Sequence, residues 1–105
     1  MGIRIALVTC PDMSVAQDLA KQVVGFKLAA CVNIMPGITS VYWWENSVNT
    51  DTEVLLFIKT TKKLADSLEQ KVLELHPYDT PEFVVLKPSA VTDKYKKWLI
   101  DSIGG

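Results

Sequence analysis

The hydrophobic positions along the chain alternate between short apolar runs and longer amphipathic stretches. Residues 3–10 form a β-branched apolar run that stops at a proline, which is typical of a mostly buried strand. From Ala16 onward, apolar residues recur at the i, i+3, i+4 spacing of an amphipathic helix. Asp12 or Ser14 would begin this helix and Gly25 would end it. The chain is therefore predicted to open with a strand followed by a helix.

The middle of the chain is predicted to form a long β-hairpin. Apolar runs over residues 28–34 and 38–44 are separated by Pro36 and Gly37. Because proline cannot donate to the ladder, we expect one long strand with a kink or bulge at that point. Residues 45–51 are polar and predict the turn, and residues 52–60 predict the returning strand.

The last part of the chain is predicted to contain two helices with a strand between them. A helix runs from about residue 61 to residue 75 and ends at His76, since the residue before a proline avoids helical angles. A loop then leads to a strand over residues 82–87. A final helix is predicted over about residues 91–103.

This order, β-α-β-β-α-β plus a C-terminal helix, indicates an α+β fold of the split βαβ, or ferredoxin-like, class. Right-handed crossovers then give the strand order 4-1-3-2, with the first two helices on one face of the sheet. Residues 54–58 are apolar without alternation, which indicates that both faces of the sheet require burial. Two helices cover one face only, so we expect self-association through the other.

The chain has two cysteines, and the predicted topology keeps them apart. Cys10 falls on the first strand and Cys31 on the second, with the third strand between them. Their Cα atoms would lie roughly 9–10 Å apart, too far for a disulfide. Two unpaired cysteines are typical of a reducing compartment, so we expect a cytoplasmic protein.

The length and the net charge of the chain indicate the number of domains and exclude two classes of partner. The 105 residues, at 11.7 kDa, predict a single domain over residues 1–105. The net charge of −1 gives no basic surface for nucleic acid or for an anionic membrane, and no 18-residue apolar run predicts a membrane span. We therefore expect neither nucleic acid nor membrane as a partner.

Few residues carry obvious chemistry. His76, the only histidine, is either a helix-terminal cation or a metal ligand, and Cys10 is either core or a soft ligand for copper. No cluster with metal-ligand spacing occurs, so a metal site would be weak or shared between chains. No nucleophile–base pair or phosphate loop occurs either, which favours a protein that is not an enzyme.

Two further features have alternative interpretations. Lys59 ends an apolar strand, where it is either solvated or faces a cleft and binds an anion. The predicted hairpin tip carries Tyr42, Trp43, Trp44 and Glu45, which form either a stacking platform or a subunit contact.

Five motifs are spread along the chain: TCPD at residues 9–12, KLAACVN at 27–33, PGITSVYWWE at 36–45, EVLLFIKT at 53–60 and HPYDTPE at 76–82. Together these segments resemble one family, the CutA1 (CutA divalent-cation tolerance) proteins. The resemblance spans essentially the whole chain, and KLAACVN and HPYDTPE are its most specific motifs. The resemblance implies a tight homotrimer, similar to the trimeric PII signalling proteins, with hairpins that reach across to neighbouring chains.

The resemblance also implies function and site residues. It implies a non-enzymatic protein that binds copper or another divalent cation weakly, with His76 and Cys10 as the candidate ligands. It further implies an intersubunit cleft lined by Lys59, Glu53, Tyr78, Asp79, Glu82 and Trp44. The alternative function is a PII-like sensor or scaffold whose cleft binds a small anionic ligand or a partner protein.

Overall fold

The structure, a computed structural model, is built on one antiparallel sheet of four strands with three helices. It describes residues 2–104, so Met1 and Gly105, the two ends of the predicted domain, lie outside the described residues. The elements in chain order are β1 (Ile3–Cys10), α1 (Met13–Gly25), β2 (Cys31–Trp44), β3 (Ser47–Thr61), α2 (Ala65–Leu75), β4 (Val84–Leu86) and α3 (Asp93–Ser102).

The strand order within the described sheet is β2-β3-β1-β4, which confirms the predicted order 4-1-3-2. β1 lies in the centre and pairs antiparallel with β3 on one side and with β4 on the other. The predicted irregularity in β2 is also confirmed, because its pairing with β3 shifts register between Met35 and Ile38. Gly37 lies inside this bulge with a φ of 73°, a left-handed conformation that glycine adopts without a steric cost.

The turn of the hairpin is shorter than the sequence predicted. β3 begins at Ser47, so the assignment of residues 45–51 to a turn was wrong, and only Glu45 and Asn46 connect the strands. Both have positive φ, 49° and 61°, as a two-residue turn of type I′ requires. Asn49, Thr50 and Asp51 pair with β2 beyond the core, so no hydrophobic pattern marked them as a strand.

The helices and the other strands agree with the predictions except at their ends. Asp12 is the N-cap of α1, and its side chain accepts a hydrogen bond from the Val15 amide. After α1, Lys27 takes the left-handed conformation expected of a terminating glycine, and the chain enters β2 at Cys31 rather than at residue 28. α2 begins at residue 65 rather than 61, because β3 continues through Thr61. β4 and α3 lie within their predicted ranges.

The main core lies between the sheet and the first two helices, which confirms that both pack on one face. Strand residues of even number alternate into this core from β1 and β3 and meet the apolar stripes of α1 and α2. Its buried members are Ala6, Val8, Cys10, Ala16, Leu19, Val23, Ala29, Val54, Leu56, Ile58, Leu68 and Val72. Cys10 and Cys31 are both free cysteines, as predicted.

The opposite face of the sheet is covered only at one end. There α3 packs Leu99 and Ile103 against Ile3, and Tyr95 reaches Lys59, so three helices rather than two contribute to covering the sheet. The remainder of this face is a continuous apolar surface of residues that are half-buried or exposed in the single chain. We call this surface the open face, and it comprises Ile5, Leu7, Met35, Leu55, Phe57, Val84 and Leu86.

The outer part of the β2–β3 hairpin extends beyond the core as an arm, residues 38–53. The arm makes the molecule 44 Å long against 26 and 22 Å in the other directions. The radius of gyration, 14.3 Å, exceeds the about 13 Å expected of a compact chain of this length. Val41, Trp43 and Val48 lie on the helix side of the arm and are each about two-thirds exposed.

None of the helices described over residues 2–104 is long and apolar enough to cross a membrane.

Candidate functional site

A cavity lies where the arm leaves the sheet, on the side that carries the open face. Three segments form it: the end of β1, the arm, and the loop between α2 and β4. Its volume is about 590 Å³, within the range of small-molecule sites. We call it the cleft, and it is lined by Thr9, Ser40, Val41, Tyr42, Trp44, Glu53, Tyr78, Asp79, Thr80 and Glu82.

The alternation of side chains along a strand explains how one wall of the cleft forms. Ser40, Tyr42 and Trp44 alternate along β2, so their side chains project to the same side of the arm. Glu53, on β3 opposite Ile38, lies on that side as well. The other wall is the loop over residues 78–82, which is held in place through His76.

His76 fixes the loop by using both ring nitrogens. Its Nε2 lies 2.7 Å from the Thr9 carbonyl oxygen, and its Nδ1 accepts a hydrogen bond from the Tyr78 amide at 3.1 Å. A carbonyl can only accept, so the ring is the neutral tautomer with its proton on Nε2. The side chain is buried and has no free nitrogen for a metal in this arrangement.

Glu53 is the most buried charged side chain of the cleft, with 9% of its surface exposed. The Tyr78 hydroxyl donates to its Oε2 at 2.9 Å. Burial, and then this hydrogen bond to Glu53, raise the pKa of Tyr78 to about 12. A second phenol–carboxylate pair joins the Tyr42 hydroxyl to Asp51, and this hydrogen bond raises the pKa of Tyr42. Both phenols therefore remain protonated at neutral pH and act as donors.

Cys10 lies in the core beside the cleft rather than in its lining. Burial, followed by the nearby carboxylates of Glu53 and Asp12, raises the pKa of its thiol to about 11. A buried neutral thiol is a poor metal ligand, because the thiolate is the form that coordinates. Over residues 2–104, no three His, Cys, Asp or Glu side chains converge to hold a metal ion. Metal binding through His76 and Cys10 stays a prediction.

Of the six predicted cleft residues, the single chain brings five together in the lining. Lys59 lies six residues along β3 from Glu53, about 20 Å away at strand spacing. Its ammonium donates to Asn33 Oδ1 at 2.6 Å and to the Tyr95 hydroxyl at 3.4 Å. Its place in an intersubunit cleft stays a prediction for an assembled form.

Five lining residues were not predicted to line the cleft, although Tyr42 was named as part of the possible stacking platform. Ser40 and Tyr42 could have been assigned to the cleft, since they precede Trp44 at intervals of two along the same strand. Thr9, Val41 and Thr80 carried no comparable signal, because only the fold brings them to the cleft.

The electrostatic character of the cleft is acidic. Glu53, Asp79 and Glu82 contribute three carboxylates, and neither lysine nor arginine occurs among the lining residues. Together with the three aromatic side chains of Tyr42, Trp44 and Tyr78, this composition favours a cation over an anion.

Known proteins share both the sequence and the fold. The model of the CutA1 divalent ion tolerance protein family matches residues 4–102. The chain is 43% identical to the divalent-cation tolerance protein CutA of Thermus thermophilus, over 95% of this chain and 97% of that protein. It is 47% identical to the chloroplastic protein CutA 1 of rice over 93% of this chain, but spans only 55% of that protein's length.

A solved structure agrees with the whole architecture. The crystal structure of rice CutA1 superposes with a TM-score of 0.94 at 45% identity, covering 97% of this chain and 94% of that one. The chain therefore belongs to the CutA1 divalent ion tolerance family, as the sequence motifs predicted.

Proposed function

We propose that this protein is a non-enzymatic homotrimer that contributes to divalent-cation tolerance by binding copper weakly in the cleft. The observation that carries the cation site is the lining itself, which has three carboxylates and no lysine or arginine among its residues. The family's description, divalent ion tolerance, supports a binding role rather than a catalytic one.

Copper is the proposed cation because it binds a given set of oxygen and nitrogen ligands more tightly than other divalent first-row metals do. Affinity would be low in the single chain, since the described carboxylates do not converge on one point. Glu53 is the first proposed ligand, because burial keeps water from competing for it.

The trimer is proposed from the open face. Two cross-strand contacts, Leu7 with Phe57 and Met35 with Leu55, lie at its centre, and both strands of each pair leave apolar surface uncovered. Monomeric proteins rarely leave a continuous apolar surface of this kind in water. β4, whose three residues are all exposed, would extend the contact at the edge of the sheet.

No observation on the cleft favours the alternative, a PII-like site for an anion. Lys59 lies about 20 Å from Glu53 in the single chain, so carboxylates dominate the lining. The cytoplasmic location also stays a prediction.

Calorimetric titration with Cu²⁺ tests the proposed site. Glu53→Gln removes the charge at nearly constant volume, and we expect it to weaken copper binding at least fivefold. Glu69→Gln, the same substitution on the exposed surface of α2, is the matched control. If His76→Ala abolished binding while Glu53→Gln left it unchanged, the site would belong to the histidine and the cleft would be excluded.

A further inference from the structure

A smaller cavity, separate from the cleft, lies at the end of the sheet opposite the arm. Its volume is about 190 Å³, and its walls are the start of β1, the segment after β4 and the first half of α3. Three of its lining side chains are cationic: Arg4, Lys87 and Lys96. We call this cavity the basic pocket. The cleft contains Thr9 from the other end of β1, so the length of that strand separates the two cavities.

The cations of the basic pocket have no carboxylate partner in the part of the chain that the structure describes. Within residues 2–104, the lining contains neither aspartate nor glutamate. The ion pairs of these residues lie elsewhere, and they join Lys71 to Glu74 and Lys97 to Asp101. The net charge of −1 therefore conceals a local excess of positive charge around this cavity.

The sheet itself places two of these cations opposite each other. The last pair of the β1–β4 ladder is Ile5 with Leu86, so the same register one position further brings Arg4 opposite Lys87. Like charges that lie directly opposite on adjacent strands destabilise a sheet. An anion that contacts both side chains would replace this repulsion with two attractive interactions.

The Arg4 guanidinium is already held in position in the free chain. Its Nη1 donates a hydrogen bond to the Ile3 carbonyl oxygen at 2.9 Å, and the residue is half-buried. The guanidinium also fills the space beside Gly2, where a Cβ would lie 2.8 Å from Nη1. A side chain at residue 2 would therefore push the guanidinium aside. A donor that is positioned in advance loses less entropy when its ligand binds.

The side chains of the basic pocket indicate which anion it would take. The planar arginine fork binds two oxygens of one oxyanion at once, and the two lysines add point charges. Three cations favour a doubly charged oxyanion over a single carboxylate. Ser89, also in the lining, adds a hydroxyl donor. The volume is below the range of cofactor sites, so the oxyanion itself fits better than a nucleotide that carries it.

We infer that the basic pocket binds a free oxyanion of the phosphate class, held by Arg4, Lys87 and Lys96. The inference does not depend on the proposed copper site, because the two cavities share no lining residue. It also differs from the PII-like alternative, which would place an anion in the cleft.

Titration of the full chain with two anions tests the inference by calorimetry and by NMR. Inorganic phosphate, mainly a dianion at pH 8, is compared with acetate at an ionic strength of about 0.15 M, where distant charges are screened. We expect phosphate to bind at least tenfold more tightly than acetate and to shift the amides of Ser89 and Val91. Equal affinity for acetate, amide shifts confined to other surfaces, or no binding of phosphate at millimolar concentrations would overturn the inference.

Charge variants identify the residues that hold the anion. Arg4→Gln should weaken phosphate binding at least tenfold, and Lys96→Gln, at an exposed position on α3, about fivefold. Lys63→Gln, an equal charge change on an exposed lysine outside the lining, should alter it by less than about twofold. Lys87→Gln, with an expected loss of about fivefold, replaces Arg4→Gln if that variant does not fold. Equal losses in Lys63→Gln and Lys96→Gln would show that general surface charge attracts phosphate, and the inference would be wrong.

Gly2→Ala separates the position of the guanidinium from its charge. The variant keeps every charge but moves the Arg4 guanidinium, so we expect phosphate affinity to fall about threefold. Gly25→Ala, where a Cβ meets no atom within 4 Å, is the matched control and should keep the wild-type affinity. Undiminished affinity in Gly2→Ala would contradict the positioned arginine and with it the inference.

Discussion

The thiol of Cys10 links the stability of the core to alkaline pH. It titrates at about 11 in the folded chain, against a usual 9.0, because burial opposes the thiolate. Above pH 9 the unfolded chain loses this proton while the folded chain keeps it, so stability falls as pH rises from 9 to 11.

We expect this thiol to account for about 1–2 kcal/mol of the loss over that interval. Urea unfolding at pH 8, 9, 10 and 11 measures it, with Cys10→Ala compared with the wild type. Cys31→Ala, at a half-buried position, is the control and should keep the wild-type slope. An identical slope in Cys10→Ala would show that other groups cause the decline.

His76 should behave as a structural residue. His76→Ala leaves the Thr9 carbonyl and the Tyr78 amide without their partners, so we expect a loss of about 2–4 kcal/mol in the free energy of unfolding. Urea unfolding at neutral pH measures it. Lys63→Ala, at an exposed position, should change stability by less than about 0.5 kcal/mol. If His76→Ala also lowered the free energy of unfolding by less than about 0.5 kcal/mol, water would have to replace both hydrogen bonds.

For individual residues, the sequence predicted which side chains belong to the site more successfully than it predicted the contacts that they make. The motif around His76 singled it out, but its two hydrogen bonds depend on Thr9, 67 positions away in the chain. No local pattern contains that contact. Trp44 and Glu53, by contrast, lie on strands whose alternation predicts a shared face once the hairpin is aligned.

Among the elements, β2 depends most on a single glycine. Gly37 has a φ of 73°, which an alanine adopts only at a cost, although a Cβ there would meet no atom within 4 Å. We expect Gly37→Ala to lower the free energy of unfolding by about 1 kcal/mol through backbone strain alone.

Gly25→Ala is the matched control for that change. Gly25 ends α1 outside the positive-φ region, and a Cβ there also meets no atom. The alanine should therefore raise stability by about 0.4–1 kcal/mol through the unfolded state. Thermal unfolding of the two variants should shift the melting temperature in opposite directions, and a shift in the same direction would contradict the role assigned to the bulge.

The elements themselves were largely predictable, because helices and buried strands have clear hydrophobic periods. The hairpin turn was not, since Glu45 and Asn46 adopt positive φ without a glycine to signal it. The strand beyond it, residues 47–51, is polar because it lies past the core. Hydrophobic periodicity identifies a strand only where one of its faces is buried, so it cannot identify this exposed segment.

For the whole molecule, the open face makes assembly testable. Phe57→Glu places a charge at its centre, so the variant should sediment near 11.7 kDa while the wild type sediments at about three times that mass. Phe26→Glu, on an exposed ring beyond α1, carries the same change away from this face and should remain trimeric. A monomeric wild type at micromolar concentration would contradict the trimer.

The two adjacent tryptophans of the arm end in different surroundings, and this makes them separate optical reporters. Trp43 lies on the helix side of the arm, two-thirds exposed, whereas Trp44 projects into the cleft. In single-tryptophan variants, a blue shift of Trp43 emission would follow the burial of the arm against another chain. Quenching or a shift of Trp44 emission would follow occupancy of the cleft. Two variants that differ only in which of these tryptophans remains thus report assembly and ligand binding separately.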